Sequence, residues 1–341
     1  MNKKKIKVSV IGAGRIGLKL EFDKKRLKPA THFGMWIKNR YTNLSSFCDK
    51  NSDSLKFAKR LNKKINYYFN YKKMIINEKP DIVSISTWKD THYKIAKDCL
   101  NLGVKVIVLE KPLANNMKQA KKLLDLVKKK KAKILVNHRR RFDSEIIKLK
   151  NKINQGEIGE ILQVSSYYVY GILTTGTHLI DTLRMLLNKK IGEVNKVIGF
   201  KNNLNNFKPK DDLNIDGYLF FEKNVVASIQ SLDMKSYDNF DIIIHGTKGK
   251  IEITDIGRKI LKYNIIKSPE HTGFTELSRQ AKILTKSKPR NQFGMLSKNA
   301  VSCLKNKNNK SLCDEKDSYK DMLIIDCLLK SAKTNGKKMK I

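Results

Sequence analysis

Ile6-Lys7-Val8-Ser9-Val10-Ile11-Gly12-Ala13-Gly14-Arg15-Ile16-Gly17 is the stretch on which the fold turns. Residues 6–11 form a short β-branched run, which predicts a strand buried on both faces. Three glycines follow at the spacing Gly12-x-Gly14-x-x-Gly17. In a strand–turn–helix context they serve a tight turn, close backbone approach to a pyrophosphate, and helix–strand packing. The helix expected after Gly17 would turn unpaired N–H groups and the positive end of its dipole toward phosphates. Glycine turns are common, so the motif gains meaning only from its surroundings.

Outward from this turn, strands and helices alternate. Residues 44–48 read as a second strand ending at Asp49, and 54–61 as a helix. Residues 81–86 are another apolar strand, and 92–102 a helix closed by Gly103. The strand 104–109 runs into Glu110-Lys111-Pro112, followed by an amphipathic helix at 117–130 and a strand at 133–136. This β-α alternation predicts an α/β fold: a Rossmann domain over 1–138 with a doubly wound parallel sheet and ligands at the carboxyl ends of its strands. Beyond about residue 142 the pattern becomes long alternating segments at 162–170, 194–201, 217–232, 241–245 and 250–254. Gly246-Thr247-Lys248-Gly249 reads as a hairpin turn and 318–334 as a final helix. The expectation for 139–341 is an α+β domain with a largely antiparallel open sheet.

Composition narrows the class. The 341 residues are enough for two domains, and no apolar run approaches the ~20 residues needed to span a bilayer. The basic start at 1–7 leads into a strand, not a signal sequence, so a cytoplasmic protein is expected. Cys48, Cys99, Cys303, Cys313 and Cys327 are widely spaced with no CxxC pair, which predicts reduced thiols and no metal site. The net charge of +39 raises nucleic acid as a partner. Its lysines are spread along the chain without an interleaved aromatic stripe, so a solvated basic surface is expected and no specific nucleic-acid or membrane partner.

Asp49 ends the second strand, where a carboxylate accepts hydrogen bonds from ribose hydroxyls and repels a 2′-phosphate, favouring NAD over NADP. Its distance from the first glycine, 49 − 12 = 37 residues, exceeds the usual ~20 and implies an insertion, or a long first helix and loop, over 21–40. Lys50 beside it keeps NADP as the alternative. Arg140 and Arg141, at the domain junction, are candidates for gripping a substrate carboxylate or phosphate, or for interdomain salt bridges. Tyr168 and Tyr170 share a face of their strand and either line a cleft or pack. Trp88 either covers a bound nucleotide or packs.

Taken together, Gly12-Ala13-Gly14-Arg15-Ile16-Gly17, Ser86-Thr87 with His92, Glu110-Lys111-Pro112, Gly176-Thr177-His178-Leu179-Ile180-Asp181 and the strand-turn 241–249 resemble the Gfo/Idh/MocA oxidoreductases, in order and over essentially the whole chain. Pro29-Ala30-Thr31-His32 also resembles a subset associated with surface-sugar biosynthesis. The resemblance implies hydride exchange between NAD(P) and a carbon bearing a hydroxyl, on a sugar, inositol or nucleotide sugar. It implies a homodimer or homotetramer formed through the open sheet. It also places Gly12, Gly14, Arg15, Ile16, Gly17, Asp49, Ser86, Thr87, His92, Glu110 and Lys111 at the cofactor, and Asp181, Thr174, Arg141 and Tyr170 at the substrate.

Oxidising a secondary alcohol requires removal of its hydroxyl proton while the cofactor takes the hydride. By resemblance Lys111 is the catalytic or substrate-orienting lysine, and Pro112 after it fixes the local turn and is a candidate for a cis bond. His178 titrates near neutrality and suits proton transfer. Asp181, one helical turn on, shares its face and orients the imidazole or binds a substrate hydroxyl. Many members carry an aspartate four residues before this histidine. Here the position is Thr174, which hydrogen-bonds but cannot take a proton at neutral pH, so proton handling falls to Lys111 with His178. Two other readings stay open: an NAD-dependent glycosidase using transient oxidation, and a non-catalytic cofactor- or nucleic-acid-binding protein.

Overall fold

The computed structural model describes residues 5–203, 212–288 and 290–341. The chain divides into two compact units, Met1–Asp143 with Arg290–Met322, and Ser144–Pro289 with Leu323–Ile341.

In the first unit the order is β1 (Ile6–Ile11), α1 (His32–Lys38), β2 (Thr42–Cys48), α2 (Ser52–Leu61), β3 (Asn66–Tyr68), α3 (Tyr71–Glu78), β4 (Ile82–Ile85), α4 (Lys89–Asn101), β5 (Val106–Leu109), α5 (Met117–Lys130) and β6 (Lys133–Val136). The six strands lie in the order β3-β2-β1-β4-β5-β6 and every pairing is parallel. Val8, Val10, Ile82, Val83, Ile107 and Val108 are fully buried or nearly so. That is why these strands read as continuous apolar runs without alternation. Asparagines start several of the helices: the side chains of Asn51, Asn70 and Asn116 accept from backbone amides in the first turns of α2, α3 and α5.

The glycine turn departs from expectation. No long helix follows it. Leu18 N donates to Gly14 O, one helical turn forms, and a 3-10 turn at Lys19–Phe22 leads into a loop. The first α-helix begins only at His32. Glu21 braces that loop: its carboxylate accepts from Ala30 N at 2.8 Å and from Thr31 Oγ1 at 2.8 Å.

The second unit comprises α6 (Ser144–Asn154), β7 (Ile161–Val169), α7 (Thr177–Ile191), β8 (Val194–Asn202), β9 (Asn214–Phe221), β10 (Val226–Leu232), β11 (Phe240–Gly246), β12 (Gly249–Thr254), β13 (Lys259–Lys267), β14 (Thr275–Leu277), β15 (Lys282–Thr285) and β16 (Met339–Lys340). Its ten-stranded sheet runs β14-β13-β12-β11-β7-β10-β9-β8-β16, with β15 on β13. Among the described residues of this sheet, only β7 and β10 pair in parallel. Gly246 and Gly249 face each other across the β11–β12 hairpin. The single segment read at 217–232 is two strands, broken at a turn where Asn224 takes φ 61°.

The chain returns to the first unit after residue 289, a crossing that apolar periodicity does not announce. Leu296, Ala300, Val301 and Cys303 of α8 (Gln292–Lys305) join the core of the parallel sheet. The last long helix, α9 (Glu315–Lys333), starts in the first unit and ends in the second. The first crossing falls at Asp143/Ser144, not at 138/139. Phe142 is 1 % exposed and belongs to the first core, while Ile146, Leu149 and Ile153 belong to the second. Among the described residues, no helix is long and apolar enough to cross a membrane.

Candidate active site

The first unit gathers its polar residues at the carboxyl edge of the parallel sheet. β1 lies between β2 and β4, so strand order reverses there and the loops on either side diverge. Gly12 has φ +106°, and a Cβ on it would lie 2.8 Å from the Ser86 backbone. A Cβ on Gly17 would overlap the Gly12 carbonyl. Gly14 is different: it is exposed, and a Cβ there meets nothing within 4 Å. Among the described residues, the amides of Gly14, Arg15, Ile16 and Gly17 donate to no protein acceptor. Open space beside a run of undirected N–H groups is what a diphosphate requires.

The donors come from this turn and not from the start of α1. There, His32 N donates to Ile16 O, Phe33 N to Gly17 O, Gly34 N to Thr31 Oγ1 and Met35 N to Thr31 O. The expected helix N-terminus is therefore unavailable to an anion, because the inserted segment folds back and saturates it.

Asp49 follows β2. Its Oδ2 accepts from Ala13 N at 2.5 Å and its Oδ1 from Asn51 N at 2.8 Å, which ties it to the glycine turn. Ser86 Oγ donates to Gly12 O at 2.9 Å and locks the β4 end to the same turn. Thr87 Oγ1 accepts from Thr91 Oγ1 at 2.7 Å. Trp88 is 83 % exposed, which removes the packing reading for it.

Beside β4, β5 delivers Glu110, Lys111 and Pro112, and the Lys111–Pro112 bond is cis. Lys111 is half-buried. Glu110 Oε1 accepts from Asn137 Nδ2 at 2.6 Å and lies 2.9 Å from His32 Nε2, whose other ring nitrogen is 2.6 Å from Ser84 Oγ. Burial alone would raise the Glu110 carboxyl, but the His32 contact and charge, Asn137 and the nearby Lys111 outweigh it and hold it below the usual value. A depressed carboxyl contributes stability above its unfolded-state pKa and loses it as pH falls through the folded one. Glu110→Gln is therefore expected to cost about 1–3 kcal/mol at pH 7. That deficit should shrink below about pH 4.5, the unperturbed value, as wild type loses its own contribution. Urea unfolding of both proteins between pH 3 and 7 checks this, and a deficit independent of pH would refute it.

In the second unit, Tyr170 lies just past β7 with φ 68°, and Gly171 follows with φ 82°. A π-turn at Ile172–Gly176 then leads directly into α7. α7 carries His178, half-buried, and Asp181, 1 % exposed. The two are one turn apart on that helix, as their spacing predicts. Thr174 Oγ1 donates to Asp212 Oδ2 at 2.6 Å.

Two family models match the chain: "Oxidoreductase family, NAD-binding Rossmann fold" over residues 6–138, and "Oxidoreductase family, C-terminal alpha/beta domain" over 170–341. The chain belongs to the Gfo/Idh/MocA oxidoreductase family. It is 28 % identical over 219 residues to the uncharacterized oxidoreductase YhhX of Escherichia coli, a match covering 59 % of this chain and 61 % of that one. It is 28 % identical over 134 residues to the inositol 2-dehydrogenase of Salmonella typhimurium, covering 36 % and 40 %. These matches span less than two thirds of the relatives' own length. The fold is shared with the WlbA dehydrogenase of Bordetella pertussis, solved with NADH and UDP-GlcNAcA: TM-score 0.78, 16 % identity, 99 % of each chain.

Within this family frame, several residues that the sequence places at a ligand serve the protein interior. His92 is 1 % exposed, with its ring nitrogens 2.7 Å from Pro112 O and 3.0 Å from Thr87 O. It braces the β4 and β5 loops against each other, and burial, outweighing the two carbonyls, keeps it below the ordinary histidine value. Glu110 is likewise a brace, because its Oε1 is occupied by His32 and Asn137. Arg141 is 7 % exposed and pairs with Asp317 at 2.9 Å, an ion pair inside the first unit and not a fork open to substrate. Arg140 is also buried. Tyr168 is core: its hydroxyl donates to Ile215 O and accepts from Ile215 N, and burial raises its phenol well above normal. Tyr170 lies beyond the end of β7, at φ 68°. Sequence reasoning missed His32 and Asp212, whose partners lie far away along the chain.

Proposed function

We propose that this protein is an NAD-dependent oxidoreductase that moves hydride between nicotinamide and a secondary alcohol or ketone of a sugar, inositol or nucleotide sugar. The observation that carries the proposal is the open face of Gly14 with four unengaged amides, on the same strand edge as the Lys111 loop. When bound, the dinucleotide supplies the hydride acceptor or donor. The amides of 14–17 hold its diphosphate. Asp49, already oriented by Ala13 and Asn51, accepts from ribose hydroxyls and disfavours a 2′-phosphate. Lys111 is the group that orients the reacting hydroxyl and exchanges its proton, with His178 and Asp181 proposed as substrate-side partners. A relative named inositol 2-dehydrogenase, and a protein of the same fold solved with UDP-GlcNAcA, support the substrate class, and assembly into a homodimer or homotetramer belongs to the same proposal.

The test is a turnover screen. Purified protein is mixed with NAD or NADP and glucose, glucuronic acid, myo-inositol or UDP-glucose, and with NADH or NADPH and the matching ketones. Absorbance at the reduced nicotinamide band should change with at least one polyol, and faster with NAD than NADP. Binding of neither cofactor would sink the proposal.

A further inference from the structure

The segment over 21–40 does more than close off the start of α1. It builds one wall of a pocket of about 620 Å³, whose other wall is α8. Lys28, Lys38 and Arg40 line the first wall and Lys298 the second. Met35 and Tyr41 add apolar surface. Arg40 and Tyr41 immediately precede β2, at the opposite end of that strand from Asp49. Among the described residues that line the pocket, none belongs to the glycine turn and none is acidic. It is a second concave site of the first unit, separate from the dinucleotide cradle.

Its charges are held in place. Lys28 Nζ donates to Leu20 O at 3.1 Å and to Asp23 O at 2.7 Å. Arg40 Nη2 donates to Tyr41 Oη at 2.6 Å, and Lys305 Nζ stands 4.3 Å from the centre of the same ring. The Arg40 hydrogen bond and charge, with the charges of Lys305 and Lys298, hold the Tyr41 phenol below its ordinary value. Beneath them the scaffold is buried and polar. Asn39 Nδ2 donates to Ser297 Oγ at 3.1 Å, and Asn39 Oδ1 accepts from Tyr41 N at 3.1 Å, which ties the end of α1 to α8. Among the described residues, Lys38, Arg40 and Lys298 form no ion pair with a carboxylate. A concave surface lined by one sign of charge concentrates the opposite ion.

We propose that this pocket binds a small organic phosphate, with the phosphoryl group among Lys38, Arg40 and Lys298 and the carbon portion against Met35 and Tyr41. A phosphate monoester carries close to two negative charges at neutral pH, where a carboxylate carries one, and so answers several converging cations better. The guanidinium fork grips two phosphoryl oxygens and the ammonium groups act as point charges. The volume falls in the range of small-molecule sites, about 300–1,000 Å³, and leaves room for a carbon skeleton beside the anion. A nucleic-acid strand needs a basic groove that tracks its backbone, and this is one closed-in hollow. The inference does not depend on the oxidoreductase reading.

The experiment is calorimetric titration of the full-length protein, with NADH in excess to occupy the glycine turn. The probes are glucose 6-phosphate, AMP, inorganic phosphate, glucuronic acid and a single-stranded oligonucleotide. Salt is set at about 0.15 M, where the Debye length is about 8 Å and scattered surface charge is screened. Glucose 6-phosphate or AMP should bind at one site, more tightly than inorganic phosphate or glucuronic acid, and the better of the two tells a sugar phosphate from a nucleotide. Arg40→Gln and Lys298→Gln should each weaken that probe about tenfold, the factor one hydrogen bond to a charged group commands. Both side chains are exposed, so the melting temperature should hold. The double variant Lys128→Gln/Lys129→Gln removes two charges from the exposed face of α5 and should bind like wild type. No binding of either organic phosphate, or equal loss in the α5 variant, would overturn the inference. So would glucuronic acid binding as tightly as glucose 6-phosphate, or binding of the oligonucleotide alone.

Discussion

Replacing Lys111 by alanine is expected to lower kcat by about 10²–10⁴-fold, the usual contribution of a positioned proton-transfer group. NADH affinity should stay within a few-fold, and the melting temperature should fall only by the small amount that the Lys111 charge beside Glu110 contributes. The expectation follows from where the residue stands. It leaves β5 one residue after Glu110, and the Glu110 brace to His32 and Asn137 does not use the lysine side chain. Lys111 is half-buried, so removing it opens no core cavity. The charge of Lys111 also helps hold the Glu110 carboxyl down, so the variant should show that carboxyl titrating at higher pH. Lys111→Arg should not restore turnover, since a guanidinium is always protonated and cannot exchange the proton. Steady-state kinetics with the polyol found in the screen, beside fluorescence titration with NADH, checks each part. Full turnover in Lys111→Ala would remove it from the catalytic machinery.

How much of this was legible beforehand depends on sequence distance. The strand cores of β1, β4 and β6 were readable because parallel strands buried on both faces are plain apolar runs. The helix α5 was readable to the residue from its amphipathic pattern, and the structure adds Asn116 as its cap. By contrast α8 hid its four core residues in a mixed stretch. Its one local signal, Asn291 as cap, was available and is the same device that starts α2, α3 and α5. The residues that position chemistry were the least legible. His32 meets Glu110 across 78 positions and Thr174 meets Asp212 across 38, and no periodicity spans such gaps. The glycine motif was read correctly as a turn but not in its donors, because the insertion that follows it bends back and occupies the helix start with carbonyls of Ile16 and Gly17.

The three glycines of that motif should fall into two classes under mutation, since Gly12 and Gly17 have backbone where a Cβ would go and Gly14 has none. Gly14→Val places its side chain where the protein has no atom within 4 Å of a Cβ. Its stability should stay within about 0.5 kcal/mol of wild type, as for an unencumbered surface change. Yet the added carbons occupy the approach to the amides of 14–17. Loss of two charge-assisted hydrogen bonds should weaken NADH by about a hundredfold or more. Gly12→Ala should do the reverse in kind. Its φ of +106° and a Cβ 2.8 Å from the Ser86 backbone force the β1 and β4 ends apart, costing about 2 kcal/mol or more before any ligand is added. Gly17→Ala should resemble Gly12→Ala, because its Cβ overlaps the Gly12 carbonyl. Melting curves with and without NADH distinguish the two classes: Gly14→Val melts like wild type and gains nothing from NADH, while Gly12→Ala melts early even when bare. Undiminished NADH binding by Gly14→Val would show that the dinucleotide does not lie against this turn.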